Sequence, residues 1–304
     1  MTLRHRVLVP EIMDDAAQDF RAFSAALHDL ERINRLSFAY RPVLGWLDAL
    51  LHRTGARQLR VLDVGAGGGD ALARIAAWGE RRSVALELAA LDRSPHAAAH
   101  ARARHPGLPV RWITADLFAL DPAERFDAVV CSLFAHHLED EAIGRFLRWL
   151  DTRAEMGWLI SDLHRHAIPW GTVWAGVRIL RMDPMVVHDS TVSIARGFRR
   201  ADWLRLLRDS GVRAEVRWSL PFRWSVSGGP LLRGGAATGD AAGGVEPPGG
   251  APLGPVGGMA AGSDAPTGGA MARPVGGLVE GPLLDPSDGP ADRVKDSATG
   301  ARPA

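Results

Sequence analysis

Residues 61–70 read VLDVGAGGGD, an apolar run with one acid followed by a cluster of glycines. The apolar run predicts a β-strand, and the polar residue after the glycines, Asp70, predicts the start of a helix. Glycines at such a turn adopt backbone angles that other residues avoid, and they let a ligand approach the main chain closely. The unpaired N–H groups of the helix start face the same place. The stretch therefore predicts a ligand-binding turn between a strand and a helix.

Two acids within this stretch narrow the class of ligand. A dinucleotide-binding turn of the form G-x-G-x-x-G would need a glycine at position 70, where the chain has Asp70. Asp63 stands two residues before the first glycine, and its carboxylate suits a ligand with an ammonium group and would repel a pyrophosphate. A nicotinamide-dependent oxidoreductase stays as an alternative. It is disfavoured further because Tyr40 and Lys295, the only tyrosine and lysine, cannot form a Tyr-x-x-x-Lys pair.

Short apolar runs alternate with helical patterns on both sides of the glycine stretch. The runs predict strands at 59–64, 84–91, 110–113, 128–133 and 157–161, with helices at 70–78, 95–104 and 139–150. Two further runs, at 214–220 and 222–227, predict a hairpin at the edge of the sheet. Strands that alternate with helices form parallel sheets with helices on both faces. The sequence therefore predicts an α/β fold with seven strands, mostly parallel, and an antiparallel edge strand.

Helical patterns flank this region and interrupt it once. Residues 14–51 predict two or three helices with a break near Pro42, and residues 200–210 predict a helix capped by Gly211. Residues 165–196 form an apolar insert after the fifth strand that predicts one or two helices. Two roles fit this insert equally well, a cap over a substrate and a helix pair that simply covers the sheet.

The last 77 residues, 228–304, differ in composition from the rest of the chain. They hold 20 of the 34 glycines, 11 of the 20 prolines and no aromatic residue. Such a segment cannot bury enough apolar surface to offset the entropy of ordering it. We therefore expect a helical segment at 1–58, one folded domain at 59–227, and a disordered tail rich in glycine, proline and alanine at 228–304.

Two acids follow later strands at positions that suit a nucleotide-like ligand. Asp92 lies 23 residues past the last loop glycine, where a carboxylate can accept hydrogen bonds from ribose hydroxyls. A turn or cap role is the alternative for Asp92, although Ser94 and Pro95 already supply a helix cap. Asp116 follows the third predicted strand, within the segment ITADL at 113–117. A single acid after a strand is weak evidence for a nucleotide-like ligand. The prediction therefore depends on the order and spacing of all three motifs.

In their order and spacing, these motifs resemble the class I S-adenosylmethionine-dependent methyltransferases, and above all small-molecule enzymes such as those of ubiquinone and menaquinone biosynthesis. The resemblance covers residues 59–226 and implies the Rossmann-like, seven-stranded methyltransferase fold, with S-adenosylmethionine as cosubstrate. It also implies a set of cofactor-binding residues, which are Asp63 at the amino-acid end, Gly65 and Gly67 in the turn, Asp92 at the ribose, Arg93 stacked on the adenine, and Asp116 and Leu117 at the adenine edge.

The fourth predicted strand leads into the segment SLFAHHL at 132–138. The resemblance places this loop beside the sulfonium, so Ser132 is assigned to the cofactor site. The Asn-Pro-Pro-aromatic motif of amino-directed nucleic-acid methyltransferases is absent from it, which counts against a nucleic acid as acceptor. His136 and His137 in this loop and His164 after the fifth strand are the candidate bases, because imidazole can take up a proton near neutral pH.

The expected reaction is transfer of a methyl group to oxygen or carbon of a small, fairly apolar acceptor, such as a quinol, a phenolic compound, a polyketide or a lipid-like molecule. A non-catalytic S-adenosylmethionine-binding partner protein is the second alternative. We expect no metal, because the histidines and Asp162 have no fixed ligand spacing. The net charge of +1 does not indicate a basic surface that would bind nucleic acid. A single cysteine, Cys131, and the lack of a signal-peptide or membrane-spanning run predict a cytoplasmic protein without membrane insertion.

Overall fold

A computed structural model describes residues 3–15 and 17–233 of the chain. Its strands are β1 (Gln58–Val64), β2 (Ala85–Asp92), β3 (Val110–Thr114), β4 (Phe126–Ser132), β5 (Ala154–Leu163), β6 (Ala214–Ser219) and β7 (Arg223–Gly228). Its helices are α1 (Phe20–Leu36), α2 (Arg41–Thr54), α3 (Asp70–Arg82), α4 (Pro95–Arg104), α5 (Asp140–Arg153), α6 (Ala167–Ile179), α7 (Pro184–Arg196), α8 (Arg200–Ser210) and α9 (Pro230–Arg233). Residues 234–304, which carry most of the predicted tail, lie outside the described residues.

The seven strands form one sheet in the order β3-β2-β1-β4-β5-β7-β6, which confirms the predicted α/β fold. Strands β1 to β5 run parallel, and β7 runs antiparallel to both of its neighbours. The sequence predicted the antiparallel strand at the edge of the sheet. The structure places it one position inside the edge, because β7 pairs with β5 along its whole length and β6 pairs only with β7.

The central strands are buried on both faces, as their unbroken apolar sequences require. Alternate residues of β1 enter opposite layers of the core: Leu62 packs in the layer that includes α5 and α8, whereas Val61 packs in the layer that includes α2 and α3. Cys131 of β4 is a free cysteine inside the first layer, as a core residue should be. Full burial of an aliphatic side chain such as that of Leu62 or Val61 stabilises the fold by about 1.5–3 kcal/mol.

Helices α1, α6 and α7 pack on one another rather than on the sheet alone. Ala26 of α1 shares an apolar cluster with Val177 of α6 and Met185 of α7. The Oδ2 atom of Asp29 accepts a hydrogen bond of 2.7 Å from the backbone N–H of Asp183, which fixes the start of α7 against α1. The insert thus forms two helices, and it joins the N-terminal helix as a separate layer. Among the described residues, no helix is long and apolar enough to cross a membrane.

Candidate active site

The glycine turn between β1 and α3 has the backbone that the sequence predicted. Gly65, Gly67 and Gly69 have φ angles of 72°, 48° and 73°, a region that side chains other than glycine rarely adopt. The N–H of Gly65 donates a hydrogen bond of 2.8 Å to the carbonyl of Leu91, which ties the turn to the end of β2. A Cβ added to Gly65 would lie 2.5 Å from Cδ2 of Phe134, so no side chain fits there.

Asp92 holds the turn from the neighbouring strand. Its Oδ2 atom accepts a hydrogen bond of 2.9 Å from the N–H of Gly67, and its Oδ1 atom accepts one of 2.8 Å from the N–H of Ser94. Burial raises the pKa of this carboxyl, against the opposing effect of these two N–H groups. Each carboxylate oxygen can accept a second hydrogen bond. Asp92 lines the main cavity, and its predicted role at a ribose stays a prediction.

Asp63 is buried beneath the turn. Its side chain is almost fully enclosed, and its Oδ1 atom has no hydrogen-bond partner. Burial raises its pKa well above the usual value, and the nearby charges of Asp70 and Asp92 act in the same direction. The residue does not line the cavity itself. An unpaired buried carboxylate fits a cationic ligand group that approaches through the turn, directly or through water.

Asp70 anchors the N-terminal helices to the turn, a function that the sequence analysis missed. Its Oδ2 atom accepts hydrogen bonds from the Nδ2 group of Asn34 at 3.0 Å and from the hydroxyl of Tyr40 at 2.6 Å. Burial and the neighbouring Asp70 charge raise the pKa of Tyr40. No local pattern in the sequence links Asn34 or Tyr40 to this turn. Both residues lie at least 30 positions before Asp70 in the chain and meet it only in the folded structure.

Two of the predicted adenine contacts meet other partners. The guanidinium of Arg93 donates a hydrogen bond of 2.8 Å to the carbonyl of Asp14, and its side chain is exposed. Its predicted stacking on adenine therefore has to compete with this contact. The Oδ1 atom of Asp116 accepts a hydrogen bond of 2.8 Å from the N–H of Phe118 and caps a short helix that begins at Leu117. Both Asp116 and Leu117 line the cavity.

Arg223 brings an unpaired positive charge to the cavity wall. Its side chain is almost fully buried, and its Nε and Nη1 groups have no hydrogen-bond partner. Its Nη2 group donates a hydrogen bond of 3.0 Å to the hydroxyl of Ser37. Burial lowers the pKa of Arg223 to about 10, so the guanidinium is charged at neutral pH. A buried cation with free donors fits an anionic group of a ligand.

His136 lies in the loop after β4 and is fixed by a buried carboxylate on β5. Its Nδ1 atom lies 2.7 Å from Oδ1 of Asp162, and its backbone N–H donates to Oδ2 of the same residue at 3.2 Å. Burial would raise the pKa of Asp162, but the charge and hydrogen bond of His136 lower it. The Nε2 atom of His136 is left facing Glu11, whose Oε1 atom lies 3.7 Å away.

His137 has a similar arrangement with acids of the N-terminal segment. Its Nδ1 atom lies 2.9 Å from Oδ1 of Asp14, and its Nε2 atom lies 3.9 Å from Oε2 of Glu11. Burial acts to raise the pKa of Asp14, but His137, through its hydrogen bond and its charge, lowers it to about 2. Burial raises the pKa of Glu11 to about 7, despite the opposing effects of His137 and Ser193.

His164, the third candidate base, does not line the cavity. Its ring packs edge-on against Trp224, with the ring centroids 5.2 Å apart, and lies beside His166. Burial, with the nearby charges of His166, Arg199 and Arg165, lowers its pKa to about 4. The structure places His164 outside the cavity, because this residue follows β5 and its ring packs against β7, and its candidate role as a base stays a prediction.

Apart from Asp63 and His164, the predicted residues meet around one cavity of about 620 Å³ at the carboxyl ends of the strands. It is lined by the predicted residues Gly65, Gly67, Asp92, Arg93, Asp116, Leu117, Ser132, His136 and His137. Also in its wall are residues that the sequence analysis did not single out, including Glu11, Asp14, Asn34, Arg196 and Arg223. The acids of the segment PEIMDD at 10–15 carry no local sequence signal for a site.

Comparison with known proteins agrees with this site. A family model described as a methyltransferase domain matches residues 61–153, which include the glycine turn, Asp92 and both cavity histidines. No curated protein matches the chain significantly.

Solved structures to which the chain is similar include several methyltransferases. The plantazolicin methyltransferase BpumL, in complex with S-adenosylhomocysteine, is 15% identical, with a TM-score of 0.50 over 69% of this chain and 95% of that chain. The magnesium protoporphyrin IX methyltransferase ChlM from Synechocystis PCC 6803 is 17% identical, with a TM-score of 0.41 over 63% of this chain and 77% of that chain. The S-adenosylmethionine-dependent methyltransferase SibL is 24% identical, with a TM-score of 0.45 over 64% of this chain and 55% of that chain.

At 15% identity, the similarity to BpumL shows the fold alone, whereas the family model identifies the domain at residues 61–153. That domain contains the glycine turn whose backbone and contacts have been described, at the cavity end of a seven-stranded sheet. Residues 61–153 of the chain therefore form a methyltransferase domain, with S-adenosylmethionine as cosubstrate.

Proposed function

We propose that the chain transfers the methyl group of S-adenosylmethionine to oxygen or carbon of a small, fairly apolar acceptor, such as a quinol, a phenolic compound, a polyketide or a lipid-like molecule. The observation that supports this proposal is a single cavity that joins two different walls. One wall is the polar glycine turn with Asp92 and Asp116, and the other is apolar and includes Val173, Met185 and Val186. Its volume of about 620 Å³ is in the range of small-molecule sites.

The polar wall fits the donor. When bound, S-adenosylmethionine supplies a methyl group on a positively charged sulfur. Asp92 would hold the ribose hydroxyls and Asp116 the adenine, as the family resemblance implies. The unpaired carboxylate of Asp63 would attract the donor's ammonium group through the turn, and the unpaired guanidinium of Arg223 would attract its carboxylate.

The apolar wall fits the acceptor. It is built by α1 together with the two helices of the insert, so the insert serves as a cap in this proposal. Enclosure between these helices excludes water and holds the acceptor close to the donor, which is most of what methyl transfer requires from a protein. The apolar side chains on this wall, among them Leu30, Val173 and Met185, favour an acceptor with an apolar portion.

Proton transfer is needed only when the acceptor is a neutral hydroxyl or an acidic carbon. His136 and His137 are the cavity side chains placed for it, because each uses Nδ1 to contact a carboxylate and leaves Nε2 toward Glu11. A base on this wall would take up the acceptor proton as the new bond to the methyl carbon forms. His164 has no part in this proposal.

The proposed domain limits follow the same reasoning. We assign methyl transfer to residues 59–227, with the segment 1–58 as a necessary part of the cavity wall, since Glu11 and Asp14 belong to that segment. The tail, 228–304, is an appendage in this proposal. The cytoplasm is the proposed location, supported by the free, buried Cys131.

The experiment uses the full chain with methyl-labelled S-adenosylmethionine and a panel of phenols, quinols and hydroxy lipids. We expect label in at least one acceptor, detected by mass spectrometry, and none with the Asp92→Ala variant. Tight donor binding with no transfer to any member of the panel would favour the alternative of a non-catalytic binding protein.

A further inference from the structure

Three side chains bring metal-ligating atoms together in the cavity wall. Glu11 comes from the segment before α1, and His136 and His137 come from the loop after β4. One donor atom from each residue lies within 4.8 Å of the other two. The Nε2 atoms of His136 and His137 lie 3.7 and 3.9 Å from the two carboxylate oxygens of Glu11. These distances are too long for hydrogen bonds but within the range of ion pairs, so the three side chains converge on one point without a direct hydrogen bond between them.

Both imidazoles are oriented as metal ligands usually are. The Nδ1 atom of His136 lies 2.7 Å from a carboxylate oxygen of Asp162, and that of His137 lies 2.9 Å from one of Asp14. A carboxylate at Nδ1 fixes the proton there and leaves a lone pair on Nε2. Metal-bound histidines commonly have this carboxylate partner, which also raises the basicity of the ligand atom.

Only part of the Glu11 carboxylate is paired, because a side-chain hydrogen bond with Ser193 stabilises its charged form but does not reach both oxygens. Its side chain is 1% exposed, and Oε1 has no hydrogen-bond partner. The nearest cation is the guanidinium of Arg196, whose Nε atom lies 3.7 Å from Oε1. The donors of Arg196 are used elsewhere, on the carbonyls of His136, His137 and Val9. A buried carboxylate oxygen without a donor is costly unless a cation reaches it.

We propose that Glu11, His136 and His137 bind one divalent transition-metal ion. Two imidazoles and one carboxylate are a ligand set for zinc, iron, manganese or cobalt, with positions left open for another ligand. Metal–ligand bonds of about 2.1 Å place neighbouring ligand atoms about 3.4 Å apart in tetrahedral geometry, so the three donor atoms, now within 4.8 Å of one another, would move closer together around the ion. No metal was expected because the histidines and Asp162 have no fixed ligand spacing, and the third ligand proposed here, Glu11, is remote in the chain from the histidine pair.

The open positions of this ion face the cavity, since all three ligands line it. If the proposed function is right, an oxygen atom of the acceptor can occupy one of them. A divalent ion lowers the pKa of a bound hydroxyl, as it does for bound water, and so favours the more nucleophilic anion. With the ion bound, this effect replaces the role of His136 and His137 as bases, because their Nε2 lone pairs are then used on the metal. This consequence rests on the proposed function, whereas binding of the ion does not.

The test is a calorimetric titration of the metal-free full chain with Zn²⁺, without donor or acceptor. We expect one ion per chain, and at least a 100-fold loss of affinity in each of the Glu11→Gln and His137→Ala variants. His188→Ala is the matched control, because His188 also lies 2.8 Å from a carboxylate, that of Asp189, but is half-exposed and has no third ligand nearby. This variant should bind Zn²⁺ as the unmodified chain does.

A further variant separates ligation from mere packing. Asp14→Asn keeps the shape of the residue but weakens the support of His137, and we expect an affinity loss of about tenfold, as is typical for partners of metal ligands. Thermal unfolding of each metal-free variant checks that it is folded. Absence of stoichiometric Zn²⁺ binding by the unmodified chain would overturn the proposal, as would unchanged affinity in folded Glu11→Gln and His137→Ala. Neither result depends on donor binding or methyl transfer, so the proposed function can fail separately.

Discussion

The backbone N–H of Gly67 lies 2.9 Å from Oδ2 of Asp92, so the acid after β2 and the turn after β1 form one unit. Asp92 therefore has two functions in this account, as a contact of the donor ribose and as a support of the turn. Both functions depend on the carboxylate of Asp92. Through it, the glycine turn after β1 and the acid after β2 are in direct contact.

Replacement of Asp92 by alanine should weaken donor binding. We expect the Kd for S-adenosylhomocysteine, measured by calorimetry, to rise by at least tenfold, which corresponds to about 1.4 kcal/mol. Asp209→Ala removes an exposed acid from the end of α8 and serves as the control with unchanged affinity. An unchanged Kd in Asp92→Ala would show that the donor does not use this carboxylate.

A methyl group at Gly65 should disturb the turn. The φ angle of 72° is strained for alanine, and the added Cβ would overlap Phe134. We expect Gly65→Ala to lower the free energy of unfolding by about 1–3 kcal/mol, as measured by denaturant titration, and to abolish donor binding. Gly45→Ala is the matched control, since Gly45 lies in α2 with open space around its Cα, and it should raise stability by about 0.5–1 kcal/mol. Equal effects of the two substitutions would contradict the described turn.

The stability of the donor-free chain should depend on pH through Asp63. Because burial raises its pKa, the folded chain retains a proton that the unfolded chain releases near pH 3.9. This contribution to stability is complete below the unfolded-state pKa and is lost as pH rises through the folded-state value. We therefore expect the free energy of unfolding to fall over that interval, and to fall less in Asp63→Asn. Denaturant titrations across the pH range would reveal it, and identical pH profiles for the two proteins would exclude the effect.

Replacement of Arg223 by methionine tests the carboxylate site. Methionine fills the buried volume but removes the unpaired N–H donors. We expect at least a tenfold rise in the Kd for S-adenosylhomocysteine, about 1.4 kcal/mol, if the guanidinium holds the donor carboxylate. If affinity for the donor is unchanged in a folded Arg223→Met protein, the assignment to the donor is wrong. A rise only in the KM of an anionic acceptor would then place the acceptor at this residue.

The fold and the donor side of the cavity could be predicted because their signals are local. Glycines at a strand end, an acid two residues before them and an acid after the next strand are readable within short windows of sequence. Crossover rules for parallel strands then bring Asp92 and Gly67 to the same edge of the sheet.

The acceptor side could not be predicted, because it is assembled from remote segments. Glu11 meets His136 only when the chain before α1 is held across the carboxyl ends of the strands, and Asp189 of α7 fixes it there by accepting hydrogen bonds from the N–H groups of Ile12 and Met13. Arg223 enters the cavity through the inward position of β7. The surroundings of His164 could not be predicted for the same reason, since they depend on β7 pairing with β5.

The central claim is that the cavity binds S-adenosylmethionine as methyl donor, and calorimetric titration of the full chain tests it most directly. We predict saturable binding of one S-adenosylhomocysteine per chain and no binding of NADH. Binding of NADH without binding of S-adenosylhomocysteine would contradict the account and favour an oxidoreductase.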